Sequence, residues 1–315
     1  MREKGKLILL IVLAAVSITG FMFIELGANW DYALPRRAEK MAAIVLTGTV
    51  IAIATLLFQT ITNNRILTPS IIGLDSLYML VQTTLVFFLG STSLTVMNKQ
   101  VNFAISLGFM IVFALVLYRI LFKREGQNIY FLLLLGLIVG TFFGSFTSFM
   151  QVLIDPNEFQ IILDRMFASF NNIQTDVLVM ASVITAVVLL YMMKFVKYLD
   201  VLSLGKETAV NLGVDYDYTV KRLLVIVAVL ISVATALVGP ITFLGLLVVN
   251  VAYEMFKTYK HSVLIFASAL VSIVALSAGQ VLVEHVFTFS TQLSVIINFV
   301  GGIYFIYLLL RESKS

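Results

Sequence analysis

The chain has 315 residues, of which 60% are hydrophobic and 12% charged, and it carries a formal net charge of +4. A soluble domain carries roughly 25% charged residues, about twice this share, so composition excludes a water-covered globule and points to a membrane protein. The absence of cysteine excludes disulfides, thiolate metal sites and cysteine nucleophiles, and two histidines 24 positions apart, His261 and His285, give no reason to expect a metal centre.

A membrane-crossing helix needs about 20 mostly apolar residues. The first such stretch, 7–24, follows Arg2, Lys4 and Lys6, and no small-residue cleavage site precedes Glu25, so it reads as a retained helix. Residues 41–64, 76–98, 100–118, 126–154 and 177–193 are the next five. The stretch 223–253 is too long for one crossing and contains Gly239-Pro240. Proline suits the first turn of a helix and breaks its interior, so this stretch divides into two short spans. With 261–283 and 285–310 the total is ten, which predicts an all-α integral membrane protein with one transmembrane domain over 1–315. Pro35, Pro69, Pro156 and Pro240 fall in predicted loops or at predicted helix starts.

Charge tests that count. Ten crossings place both ends on one side, with the loops near 65, 119–125, 194–222 and 257–260, and that side holds 16 of the 21 Lys and Arg residues. The other side keeps Arg36, Arg37, Lys40, Lys99 and Arg165. Basic residues collect in cytoplasmic loops, so both termini are expected to be cytoplasmic, and no nucleic-acid partner is implied. The external stretch 154–176 has room for a short amphipathic helix. The cytoplasmic stretch 199–219 is polar and long enough to carry function.

No catalytic set emerges, and an enzyme is not expected. Gly205-Lys206 fails as a P-loop, being preceded by Asp200 and followed by Glu207, so ATP-Mg would have to act on a partner subunit. Ion-coupled carriers need ionisable relays at mid-depth, and the one acid close to a span interior is Asp75. It reads equally as a functional acid and as a helix-end residue. Gly136, Gly140 and Gly144, continuing into Ser145, Thr147 and Ser148, make a small-residue stripe that suits helix packing or a pathway lining. Gln59, Thr60, Thr62, Asn63 and Asn64 give the second span a polar end, facing a pore or simply ending a helix.

Five blocks then carry a family resemblance. These are Leu34-Pro35-Arg36, the run from Phe58-Gln59 through Asn64 to Pro69 and Gly73, Leu204–Val214, Gly239–Leu246 and Gly301–Leu308. In this order the chain resembles the permease subunits of ABC importers for iron–siderophores, haem and cobalamin. The resemblance implies a type II importer permease that pairs with a second permease, as a heterodimer or a homodimer, in the bacterial cell membrane. It also implies two cytoplasmic ATPase subunits and an extracytoplasmic siderophore-binding protein as partners, with no cofactor on this subunit.

By that resemblance Leu204, Gly205, Lys206, Glu207, Ala209, Leu212, Gly213 and Val214 couple to the ATPase, and Arg36 and Arg37 dock the binding protein. Gln59, Asn64, Ile66, Asn128, Tyr130, Thr147 and Ser148 would lie on the pathway or its gate. The run Asn63–Asp75 looks like the branch importing ferric catecholate siderophores such as petrobactin, with cobalamin or haem as the alternative cargo. Ala33, Asn250-Val251, Gln280 and Ile303 depart from the family pattern.

Overall fold

The computed structural model describes residues 3–24, 30–91, 93–121, 129–289 and 291–312. Among the described residues, fourteen α-helices follow in chain order: α1 Glu3–Phe23, α2 Trp30–Thr62, α3 Leu74–Leu89, α4 Leu94–Met97, α5 Lys99–Leu121, α6 Ile129–Leu153 and α7 Pro156–Met166, then α8 Thr175–Met192, α9 Val196–Leu202, α10 Lys206–Asn211, α11 Tyr216–Val238, α12 Leu244–Phe256, α13 His261–His285 and α14 Leu293–Glu312. A single 3-10 turn, Pro69–Ile72, precedes α3.

Eight of these helices are long and apolar enough to cross a membrane, and two shorter apolar ones, α3 and α12, bring the number to the expected ten. At 1.5 Å per residue, α3 rises about 24 Å and α12 about 20 Å, both short of the hydrocarbon thickness. Each is preceded by a break: the 3-10 turn before α3 and Gly239–Phe243 before α12. Broken backbone at membrane depth is tolerated where protein covers it. Here the Ser169 N–H donates to the Val238 carbonyl at 2.9 Å and the Gly239 N–H to Thr235 at 2.8 Å.

α2 is the central helix, packed along α11 on one side and α13 on the other. Of its most apolar stretch 78% is buried, against 22% for α6 and for α14 and 17% for α1. Small residues allow this approach: a side chain on Gly245 of α12 would collide with Thr55 of α2. The peripheral helices keep apolar side chains outward, as lipid-facing helices do.

One expectation changes in detail and another holds. α2 begins at Trp30, so Pro35 lies inside a helix rather than in a loop, near the start where its missing N–H removes one hydrogen bond. α7 is the short amphipathic helix of the 154–176 stretch, with Pro156 in its first turn and the Asp155 carboxylate accepting from the Asn157 N–H.

Candidate functional site

The groove on α6 arises from the glycine stripe. Gly73 has a left-handed φ of +87°, and a Cβ there would sit 2.9 Å from the Gly140 Cα; one on Gly136 would sit 2.7 Å from the Ile72 Cα. Gly136 and Gly140 are therefore packing residues that receive the 3-10 turn and the start of α3. Gly144 has nothing within 4 Å and opens onto a groove of about 780 Å³. Ser70, Ser76, Thr141, Ser145 and Ser148 place hydroxyls along it. Thr147, one residue earlier, turns inward and is buried. The groove is flanked by exposed apolar side chains, among them Leu134, Ile138, Phe142 and Phe149. A polar furrow on such a surface is unfavourable toward lipid tails and calls for water or a protein cover.

The loop after α2 is pinned at its main chain. The buried Gln59 Nε2 donates to the Arg65 carbonyl at 2.7 Å, and Asn250 Nδ2 on α12 donates to the same oxygen at 3.0 Å. Asn64 Oδ1 accepts from the Ile66 N–H at 2.9 Å, and Asn63 holds a left-handed φ of 47°. The Arg65 guanidinium stacks on Tyr253, 4.4 Å from its ring centre. Gln59, Asn64 and Ile66 are thus brought together. Asn128 lies outside the described residues, and of Tyr130 only the helical backbone position at the start of α6 is described. Asn250 was missed as a site residue because its only sequence signal was a departure from the family motif.

The 199–219 stretch folds as α9, α10 and the entry to α11. Gly205 (φ 94°) and Gly213 (φ 82°) bracket α10 in conformations that favour glycine. Leu204 and Leu212 are 59% and 62% exposed, with Lys206, Glu207 and Gly213 also outward, Gly205 and Val214 half-buried, and Ala209 fully buried beneath them. Ala209 therefore seats the segment on the bundle while its neighbours form the outer surface. The Asp215 carboxylate caps α11 by accepting from the Tyr218 N–H.

At the opposite end of α2 the two candidate docking arginines have different partners. Arg37 donates to the Phe21 and Ile24 carbonyls at 3.0 and 2.6 Å, holding the end of α1. Arg36 is exposed and lies 4.3 Å from the Tyr32 ring centre. Nearby, Lys40 pairs with Glu284 at 3.0 Å. On α7, Arg165 donates to Gln82 and to the Val96 carbonyl, clamping α7 to α3 and α4. Burial pulls its guanidinium below the usual value, while the nearby Tyr78 opposes that shift. Asp75 is half-buried and accepts from Thr235 and Thr242 at 3.4 Å each, so it faces the α11–α12 break rather than a loop.

The chain can now be set beside known proteins. It is 64% identical over 315 residues to the petrobactin import system permease protein YclO of Bacillus subtilis (strain 168), covering all of both chains. It is 37% identical to the permease protein FatC of the petrobactin import system of Bacillus anthracis, over 88% of this chain and 78% of that one. A second Bacillus subtilis petrobactin import permease, YclN, matches at 24% over 99% of both chains. The fold superposes with a TM-score of 0.83 on an inward-facing metal-chelate type ABC transporter, at 19% identity over 98% of this chain and 99% of that one. The model of the FecCD transport family matches residues 7–311, and the chain belongs to that family.

Proposed function

We propose that this chain forms half of the pore of an ATP-driven importer that carries a ferric siderophore, of the catecholate type, into the bacterial cytoplasm. The observation that carries this reading is the groove beside α6: a row of glycine and hydroxyl positions, open along one side, on an otherwise apolar membrane surface. A second permease laid against it would close a polar pathway. Such a pathway suits a cargo that arrives as a complete chelate and needs no metal ligand from the wall. The names of YclO and FatC supply the substrate class. YclO and YclN are two different petrobactin permeases of one organism, which favours a heterodimer.

In this reading the exposed Leu204–Val214 surface seats a cytoplasmic ATPase subunit, which supplies the hydrolysis that this sequence has no P-loop to perform. The Arg36 end faces the extracytoplasmic binding protein. The basic-residue bias supports that orientation, with both termini cytoplasmic. The test is radioiron uptake in iron-starved cells lacking the gene, with and without plasmid rescue, supplying iron as catecholate, hydroxamate and citrate chelates. Loss and rescue confined to the catecholate chelate is the expected result. Unchanged uptake of all three would overturn the siderophore assignment and turn attention to haem and cobalamin.

A further inference from the structure

His261 opens α13 and is 3% exposed, yet it is hydrogen-bonded at both ring nitrogens. Its Nδ1 lies 2.7 Å from Asp200 Oδ1 on α9, and its backbone N–H donates to the same oxygen at 2.8 Å. Nδ1 thus faces the Asp200 carboxylate, and Nε2 faces Thr60 Oγ1 on α2 at 2.9 Å. The Thr60 hydroxyl also lies 2.8 Å from the Leu56 carbonyl, one turn earlier on α2. The Tyr253 ring carries the Arg65 guanidinium, and the Arg65 carbonyl is the one pinned by Gln59 and Asn250.

One end of this chain, Asp200, has a side chain 42% exposed and lies four residues before Leu204 in the coupling stretch. The other end is the last turn of α2. We propose that Asp200, His261 and Thr60 form a relay that transmits movement of the ATPase-seated segment to the last turn of α2, where Gln59 holds the main chain of the 63–68 loop. His261 is its positioning residue, since its ring is hydrogen-bonded to α9 through Nδ1 and to α2 through Nε2. Buried hydrogen bonds of this kind resist being pulled apart, because separation leaves polar atoms unpaired in a dry interior. When α9 shifts, α13 and the last turn of α2 follow it.

This inference rests on the ATP-coupled transport proposed above. A simpler role, in which Asp200 merely caps α13, would need no Thr60 contact, and that difference is testable. Asparagine can retain the donor toward Asp200 but does not reach Thr60, so His261→Asn cuts the relay on one side only. Thr60→Val cuts the same link from the other side, and Thr60→Ser keeps the hydroxyl.

The experiment uses the complete transporter in liposomes, with its ATPase and binding protein, and counts radioiron-labelled ferric petrobactin imported per ATP hydrolysed. His261→Asn and Thr60→Val are expected to retain the ATPase and lower that ratio by roughly threefold to tenfold, the scale of substitutions within a coupling network. The double variant should be no worse than either single one, because both break one link. Thr60→Ser should match the parent protein. An unchanged ratio in both single variants, or loss of the ATPase from the complex, would overturn the relay. Parent protein that imports ferric petrobactin without ATP would overturn the proposed function, and the relay with it.

Discussion

Gly73 and Gly140 meet backbone to backbone: a Cβ added to the first would lie 2.9 Å from the Cα of the second. The left-handed turn at Gly73 and the glycine stripe on α6 therefore specify each other. The groove exists because the start of α3 can press this close while leaving Gly144 uncovered.

The first prediction tests that contact. Gly73→Ala adds both backbone strain and a collision, and should cost about 2 kcal/mol or more in stability. Gly144→Ala, with open space around it, should leave stability within about 0.5 kcal/mol. Thermal unfolding of the detergent-solubilised protein, followed by size-exclusion chromatography after heating, reads both. Equal melting temperatures for the two variants would show that the approach is not tight.

The second concerns the proposed coupling surface. Leu204 and Leu212 are exposed apolar residues, whereas Ala209 is buried. Leu212→Glu should leave the subunit folded and remove the ATPase from affinity-purified complexes. Gly213→Arg should act in the same way, with a further strain of about 1–2 kcal/mol from its left-handed φ. Normal co-purification and uptake in both variants would remove this segment from the coupling role.

The third separates the two arginines. Arg37→Ala leaves carbonyls at the end of α1 without their donor and should lower stability by about 1–3 kcal/mol. Arg36→Ala should leave stability alone and slow binding-protein association, with the difference shrinking as salt rises. Surface plasmon resonance at low and high salt checks the second half. Identical association rates for parent and Arg36→Ala protein would count against docking through Arg36.

The fourth addresses the loop after α2. Asn250→Ala removes one of two amide donors to the Arg65 carbonyl, a loss of about 1–2 kcal/mol for that loop. Faster trypsin cleavage after Arg65 is the expected outcome, with the melting temperature little changed. Cleavage at the parent rate would mean that Gln59 holds the carbonyl unaided.

Much of the architecture was legible in the residues. The run lengths of apolar side chains, the proline and glycine at 239–240 and the lopsided distribution of lysine and arginine all pointed to ten helices. The short eighth span, α12, could be anticipated from Gly239-Pro240, whereas α3 ends at Leu89 and is shorter than the expected 76–98 crossing. Helix α2 was foreseen too short at its N-terminal end, since Asp31, Arg36, Arg37, Glu39 and Lys40 make its first turns polar although they are helical.

The site was only partly legible, for a physical reason. Hydropathy along the chain reports whether a residue prefers water or lipid, and so it determined the spans, their number and the polar 199–219 stretch. It says nothing about which polar groups meet inside the bundle. Gln59 and Asn250 are 191 positions apart, and Asp200 and His261 are 61 apart. The first two meet at one oxygen, the Arg65 carbonyl, and the second two bond directly, in contacts that form only once the helices have packed, because a buried polar atom takes whatever partner the fold brings within reach. The sequence by itself determined a ten-helix membrane protein of this family. Tertiary packing decided that two glycines would press against α3 while the third opened a groove, that Arg37 would hold α1 while Arg36 stayed outward, and that His261 would join α9 to α2.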